Sequence, residues 1–133
     1  MNLLLDTHVW IWSQECPERL GERTRRRILD PTRSLNVCTV STLEIARLIA
    51  SGALALDGRL TQWVERSIEL LQAHTIEVSH AIAIAAYALP ADFHKDPADR
   101  ILVATARTCG LELLTADERI LDYPHAHAFD ARL

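Results

Sequence analysis

The sequence predicts an α/β protein, a three-layer α/β/α sandwich with a central, mostly parallel sheet. Short apolar runs of strand length alternate with helical segments along the whole chain, which is typical of a parallel sheet covered by helices. The length of 133 residues suits one hydrophobic core, and neither a repeat nor a linker divides the chain. We therefore predict a single domain over residues 1–133, with right-handed crossovers between strands.

The predicted strands are short runs bounded by turn or helix-start residues. The first ends at Asp6, which is followed by Thr7 as a plausible helix cap. The fourth ends at Leu114 and is followed by Thr115, Ala116 and Asp117. The five strands are predicted at residues 2–5, 35–40, 75–78, 111–114 and 127–130.

The predicted helices are identified by apolar spacing and by their start and stop residues. Residues 60–73 repeat apolar side chains near every 3.6 positions. Pro97 lies in a first helical turn, where its missing N–H costs nothing, and Gly110 ends that helix. Ser41 and Glu44 have the spacing of a capping box. The helices are predicted at residues 7–13, 17–30, 41–52, 60–73, 79–88 and 97–110, with a last short one ending at residue 121.

The amino-acid composition argues against several classes of function and location. The formal charge of −4 argues against a generally basic nucleic-acid binder. The three cysteines are widely separated and form no CxxC pair, which indicates a reducing compartment rather than a disulfide framework or a zinc site. No apolar segment reaches the length of a transmembrane helix, and the N-terminal run has no basic flank typical of a signal peptide. We expect a cytoplasmic protein without membrane attachment.

Four acids are expected at one edge of the sheet: Asp6, Glu44, Asp99 and Asp117. Each follows a predicted strand or lies in a first helical turn, and in a parallel sheet these positions share the carboxyl edge. Each acid also has a local explanation, because the helix macrodipole favours acids in first turns. As a group they would repel one another, by about 4 kcal/mol for two charges about 4 Å apart at an effective dielectric near 20.

A bound cation would offset this repulsion. Oxygen ligands without cysteine or histidine select a hard ion, Mg²⁺ or Mn²⁺. Such an ion suits the hydrolysis of phosphate esters, and the chain has no glycine-rich phosphate loop that would indicate nucleotide binding instead. The residues therefore predict a metal-dependent hydrolase.

Four blocks of sequence resemble the PIN-domain ribonucleases, and more narrowly the VapC-type toxins of bacterial toxin–antitoxin pairs. In chain order the blocks are LLLDTHVWIW, VSTLEIARL, HKDPADRILVATA and LLTADERIL. The resemblance implies a compact α/β/α sandwich and Mg²⁺- or Mn²⁺-dependent endonucleolytic cleavage of RNA. It also implies a homodimer, and a VapB-like antitoxin whose C-terminal segment enters the active-site groove.

The family's four acids match Asp6, Glu44, Asp99 and Asp117 in these blocks. We predict that Asp6 and Asp99 contact the metal directly and that Asp117 lies close by or acts through water. Glu44 is predicted to orient or deprotonate the attacking water. Asp96 is read as a helix cap and an alternative to Asp99.

For several other residues the sequence allows two interpretations, one functional and one structural. Thr115 could hydrogen-bond a ligand or position a water, and Arg47 and Arg100 could contact phosphate or form ordinary salt bridges. His8 and His94 could touch substrate, whereas His125 and His127 are read as surface or strand residues. Trp10 and Trp12 are assigned to core or dimer packing rather than base stacking. The arginine run at residues 23–27 is read as a solvated helix face that could also attract RNA or an acidic antitoxin segment.

Three rival functions remain at this point. A receiver-like regulatory domain fits poorly, because Asp6 stands alone and strand three ends in Val78-Ser79 rather than in an acid. A PIN-like module that binds an antitoxin or regulates, with little nuclease activity, is the main alternative. DNA is also possible as the substrate, since carboxylate-bound metals serve either nucleic acid.

Overall fold

A computed structural model describes all 133 residues. It contains five strands, which form one entirely parallel sheet in the order β3-β2-β1-β4-β5. The predicted α/β class and parallel sheet are therefore confirmed. The strands are β1 (Leu3–Leu5), β2 (Leu35–Cys38), β3 (His74–Ile76), β4 (Glu112–Thr115) and β5 (Ala128–Asp130).

Seven α-helices and one short 3₁₀ turn connect the strands. No helix combines the length and the apolar character needed to cross a membrane. The helices are α1 (Thr7–Glu15), α2 (Glu22–Leu29), α3 (Thr39–Ala50), α4 (Leu60–Leu71), α5 (His80–Ala86), α6 (Pro97–Cys109) and α7 (Glu118–Leu121), and the 3₁₀ turn is Pro17–Arg19.

Alternation along the strands gives the sheet two apolar faces. Leu3 and Leu5 of β1 pack in one core with Trp10 and Trp63, whereas Leu4 packs in the other core. All three leucines are fully buried. Helices α1 and α4 contribute to the first core and α6 to the second, so the sheet lies between two helical layers, as predicted.

Most predicted helix ends agree with the structure. Asp96 caps α6 by accepting a hydrogen bond from the backbone N–H of Asp99 at 3.1 Å, and Gly110 ends that helix with φ of 65°. Ser79 caps α5 in the same way through the N–H of Ile82. Gly52 follows α3 with φ of 78°, a left-handed conformation that glycine adopts without strain.

The single helix predicted at residues 17–30 is wrong, because Gly21 separates the 3₁₀ turn from α2. The N–H of Gly21 donates to the carbonyl of Ala131 at 2.9 Å. A Cβ at this position would lie 1.9 Å from the carbonyl carbon of Leu133. The C-terminal residues therefore pass too close to the chain here for a continuous helix with an ordinary side chain.

The prediction that Ser41 and Glu44 form a capping box is also wrong. Strand β2 ends at Cys38 and α3 begins at once at Thr39, so Ser41 lies inside the helix and no side chain caps it. Glu44 consequently has no capping role, and its position in the second turn of α3 requires another explanation.

Candidate metal centre

A cavity of about 370 Å³ opens at the carboxyl edge of β1 and β4. All four acids predicted from the sequence line it, and so does Asp96. They come from four different chain segments, and only the parallel topology brings them together. The predicted convergence of the acids is therefore present in the structure, while their individual roles stay predictions.

Asp6 follows β1 directly and has both carboxylate oxygens held. Its Oδ1 accepts a hydrogen bond from the N–H of Thr7 at 2.7 Å, and its Oδ2 accepts one from the hydroxyl of Thr115 at 2.5 Å. The residue is only 6% exposed. Burial raises the pKa of Asp6, and the two hydrogen bonds partly oppose that rise. The two hydrogen bonds thus fix this buried carboxylate in one orientation.

Asp99 lies in the first turn of α6 and is 8% exposed. Burial, followed by the negative charges of Asp6, Asp96, Asp117 and Glu44, raises the pKa of Asp99 to about 7. A carboxylate in this position is therefore only partly ionised near neutral pH. A cation in the cavity would restore its charged form.

Glu44 reaches the cavity from α3. Its Oε1 accepts a hydrogen bond from the hydroxyl of Thr7 at 2.8 Å, and the Ser41 hydroxyl lies 2.9 Å from that same Thr7 oxygen. Because Thr7 has a single hydroxyl proton and a carboxylate can only accept, Ser41 must donate to Thr7 in turn. Arg47 is mostly exposed, with its guanidinium 3.8 Å from Glu44 Oε2. This chain of hydroxyls replaces the predicted capping box as the explanation of Glu44.

Asp117 caps α7 and is paired with Arg119. Its Oδ1 accepts the N–H of Arg119 at 2.8 Å, and Nη2 of Arg119 lies 3.2 Å from its Oδ2. Burial would raise the pKa of Asp117, but the hydrogen bonds and the charge of Arg119 outweigh it and lower the pKa. The same guanidinium lies 3.8 Å from Oδ2 of Asp99. The cavity therefore contains one cationic side chain of the protein itself, which the sequence analysis missed.

Thr115 connects two of the acids. While its hydroxyl donates to Asp6, its oxygen accepts the backbone N–H of Asp117 at 3.0 Å. The residue is fully buried. Thr115 thus positions the carboxylates, and its hydroxyl proton is already used within the protein.

His94 contributes more to the site than its sequence position suggested. Its Nε2 lies 3.0 Å from Oδ2 of Asp99, yet this atom is buried and makes no hydrogen bond of acceptable geometry. Burial and the nearby Arg119 lower the pKa of His94, which favours the neutral form of the ring. The only sequence signal was its place beside the acids in HKDPADR.

The side chains present fit a divalent cation. Ligand atoms of His94, Asp99 and Asp117 all lie within 4.8 Å of one another. Asp6 is outside this tighter group but lines the cavity together with Asp99 and Asp117. The carboxylates repel one another, and the buried nitrogen of His94 has no hydrogen-bond partner. A bound metal ion would offset both costs, because it neutralises the negative charge and accepts the lone pair of the nitrogen.

The structure also shows what Arg100, Trp10 and Trp12 contact. The guanidinium of Arg100 donates to the carbonyls of Ala86, Phe93 and His94 at 2.8 to 3.2 Å, so Arg100 holds the chain before α6 rather than facing the cavity. Trp10 is buried and donates to Ser67 at 2.9 Å, as expected for a core residue. By contrast, Trp12 lines the cavity.

The arginine run of α2 is only partly a solvated face. Arg26 pairs with Glu22 on the surface, but Arg27 pairs with Glu112 at 3.1 Å and stacks 3.6 Å from the centre of the Phe129 ring. The pairing with Glu112 lies at the start of β4, at the opposite end of that strand from Thr115.

The fold and the site define a class: a parallel α/β protein with an acidic cluster that fits a divalent cation at the carboxyl edge of its sheet. A sequence profile of the PIN domain matches residues 3–126. The chain belongs to the PIN-domain family, whose nucleases use a divalent metal ion.

Comparisons with individual proteins agree. The chain is 32% identical to Ribonuclease VapC22 of Mycobacterium tuberculosis over 124 residues, which cover 93% of each chain. It resembles VapBC2 from Rickettsia felis, solved bound to a promoter DNA fragment, with a TM-score of 0.70, 12% identity and coverage of 97% and 98% of the two chains. It also resembles DNA-bound VapBC from Salmonella typhimurium, with a TM-score of 0.65, 18% identity and 98% coverage of both.

Proposed function

We propose that this chain is a divalent-metal-dependent endoribonuclease and the toxin of a toxin–antitoxin pair. The observation that carries the proposal is the convergence of Asp6, Glu44, Asp99 and Asp117 in one cavity. The name of the relative from M. tuberculosis, a ribonuclease, supports the reaction. The complexes among the structural neighbours support the biological setting.

The proposed metal ligands are Asp6, Asp99 and Asp117, and the proposed ion is Mg²⁺ or Mn²⁺. When bound, the ion supplies positive charge that polarises a phosphodiester and lowers the pKa of water. The hydrogen bonds from Thr7 and Thr115 hold Asp6 in one orientation. Arg119, already beside Asp99 and Asp117, is positioned to bind a phosphate oxygen of the substrate.

Glu44 is the proposed general base. A carboxylate that accepts a single hydrogen bond from Thr7 keeps lone pairs free for the proton of an attacking water. Trp12 offers an aromatic face at the cavity on which a base of single-stranded RNA could stack. In this proposal Trp12 binds and orients the substrate, and Glu44 accepts the proton of the attacking water.

The proposed partners are a VapB-like antitoxin and a second copy of the chain, and the proposed compartment is the cytoplasm. The acidic cavity would suit a basic segment of the antitoxin, because opposite charges that meet in a partly buried cleft gain most from pairing. Solution mass measurements on the chain with and without the antitoxin test both partners.

The test of the activity is cleavage of RNA by the purified chain with Mg²⁺ or Mn²⁺, compared with a chelator. Asp6→Asn and Asp99→Asn should each reduce cleavage at least about 100-fold, because each removes a charged ligand. Asp57→Asn is the matched control, since Asp57 is exposed and does not line the cavity.

Full activity of Asp6→Asn under the same conditions would contradict the proposal. Metal binding and antitoxin binding without any cleavage of RNA would instead favour the alternative, an antitoxin-binding module with little nuclease activity. Running DNA beside RNA in the same assay decides between the two substrates.

A further inference from the structure

His94, which lies behind the cavity wall against Asp99, carries an inference about the ion. His94 precedes α6 in a segment that Arg100 holds through three backbone carbonyls. The Phe93 ring packs between the rings of His94 and Tyr123, with centres 4.5 and 4.8 Å away. The Tyr123 hydroxyl donates to the carbonyl of Pro90, which fixes the same segment. The imidazole is therefore placed by packing and not by a loose surface loop.

The contact between His94 and Asp99 has the length of a hydrogen bond without its direction. Nε2 of His94 lies 3.0 Å from Oδ2 of Asp99, and still the nitrogen has no hydrogen-bond partner. Two adjacent ligands of one octahedral ion, each roughly 2.1 Å from the metal, are separated by roughly 3 Å, and each points at the ion rather than at the other. The observed pair has this separation, and its nitrogen makes no hydrogen bond to the carboxylate.

Asp117 completes the group. Ligand atoms of His94, Asp99 and Asp117 all lie within 4.8 Å of one another. Coordination through Nε2 requires the ring proton on Nδ1. The only contact this displaces is the long one, 3.4 Å, from the N–H of Asp96 to Nδ1.

We propose that Nε2 of His94 is a ligand of the catalytic ion and that this nitrogen makes the site prefer Mn²⁺ over Mg²⁺. Imidazole nitrogen binds first-row transition ions more strongly than it binds Mg²⁺, which prefers an all-oxygen shell. The inference rests on the proposed metal-dependent function and goes beyond it by adding a ligand and choosing between the two ions.

The test is spectroscopic, so it does not depend on activity. Pulsed electron paramagnetic resonance of the full chain loaded with Mn²⁺ should show coupling to a directly bound ¹⁴N nucleus. His94→Ala should remove this signal, whereas His8→Ala should keep it. His8 is the control because it is a histidine that lines the acidic cavity but lies outside the tight group of His94, Asp99 and Asp117.

Calorimetric titration should give the corresponding affinities. Wild-type protein should bind Mn²⁺ more tightly than Mg²⁺, and His94→Ala should weaken Mn²⁺ binding roughly 10-fold or more with a smaller effect on Mg²⁺. His94→Gln, which supplies an amide in place of the imidazole, should reduce the Mn²⁺ preference while filling the space. Thermal unfolding of the metal-free variants identifies any that fail to fold, and the second variant then replaces the first.

Mn²⁺ binding without nitrogen coupling, or coupling that survives in His94→Ala, would overturn the inference and leave the proposed nuclease function intact. If neither ion binds and no RNA is cleaved, the proposed function and the inference both fail. Equal losses of Mn²⁺ and Mg²⁺ affinity in His94→Ala would also overturn the stated preference.

Discussion

The hydroxyl of Thr115 donates a hydrogen bond to Oδ2 of Asp6 at 2.5 Å, joining the carboxyl ends of two adjacent strands, β1 and β4. The two residues are 109 positions apart in sequence. Because the donor is buried with its acceptor, this bond both orients the carboxylate and opposes the rise in its pKa that burial causes.

Thr115→Val keeps the shape of the side chain and removes the hydroxyl. Asp6 then loses a hydrogen bond that favours its charged form, and the N–H of Asp117 loses its acceptor. We expect metal affinity to fall roughly 10-fold and the free energy of unfolding to fall by about 1–3 kcal/mol. Calorimetry and denaturant titration measure the two effects.

Thr115→Ser should recover most of both losses, because it restores the hydroxyl. Thr108→Val is a suitable control, since Thr108 is exposed near the other end of α6. Unchanged metal binding in Thr115→Val would argue that Asp6 does not depend on this bond.

Thr7→Val tests the orientation of Glu44. The variant removes the only hydroxyl that donates to the Glu44 carboxylate and leaves Ser41 without its partner. If Glu44 is the general base, kcat should fall by at least about 10-fold, because a misoriented base transfers protons poorly.

The affinity for metal should change much less in Thr7→Val, since Glu44 is not among the proposed ligands. Thr7→Ser should restore kcat. A loss confined to metal affinity would instead place Glu44 among the ligands and contradict the assigned role.

The stability of the metal-free protein should depend on pH through Asp99. The pKa of about 7 in the folded state lies above the ordinary value of 3.8, so the folded state binds this proton more tightly than the unfolded state does. Its contribution to stability is therefore present below about pH 4 and is lost as the pH rises towards and through 7.

The asparagine side chain in Asp99→Asn does not ionise. Relative to wild type, this variant should gain about 2–4 kcal/mol of stability between pH 4 and pH 8, as expected from roughly 1.36 kcal/mol per pKa unit. Denaturant unfolding at each pH, in the presence of a chelator, gives the difference. If the difference in the free energy of unfolding between wild type and Asp99→Asn does not change with pH, the pKa of Asp99 is not raised.

Arg100→Met should loosen the segment that carries His94. The variant leaves the carbonyls of Ala86, Phe93 and His94 without their donor, and partly buried acceptors without partners are costly. We expect a loss of about 2–3 kcal/mol in the free energy of unfolding, measured by denaturant titration.

Arg100→Lys should lose less but should not recover the wild-type value, because an ammonium group cannot reproduce the planar fork of a guanidinium. Arg66→Met controls for the change of charge on an exposed helix position. Equal stability of Arg100→Met and Arg66→Met would show that the three hydrogen bonds contribute nothing measurable.

The sequence by itself determined the order of the elements and the edge at which the acids meet. Strand alternation placed Leu3 and Leu5 against one helical layer and Leu4 against the other. Local rules also located Asp96 as a cap and Gly110 as a helix end, because those roles depend on neighbours within a few residues. Asp6 and Asp117 were predictable because each follows a strand of a parallel sheet.

Only the tertiary structure decided what each polar side chain contacts. Glu44 had the spacing of a capping partner, but an earlier end of β2 moved Ser41 into the helix and turned both side chains towards Thr7. His94 and Arg119 each contact Asp99, an acid outside their own turn of the chain. Spacing along a sequence encodes the face on which a side chain lies. The distance to a partner on another element depends on how the layers pack, and that is settled by the burial of the whole core.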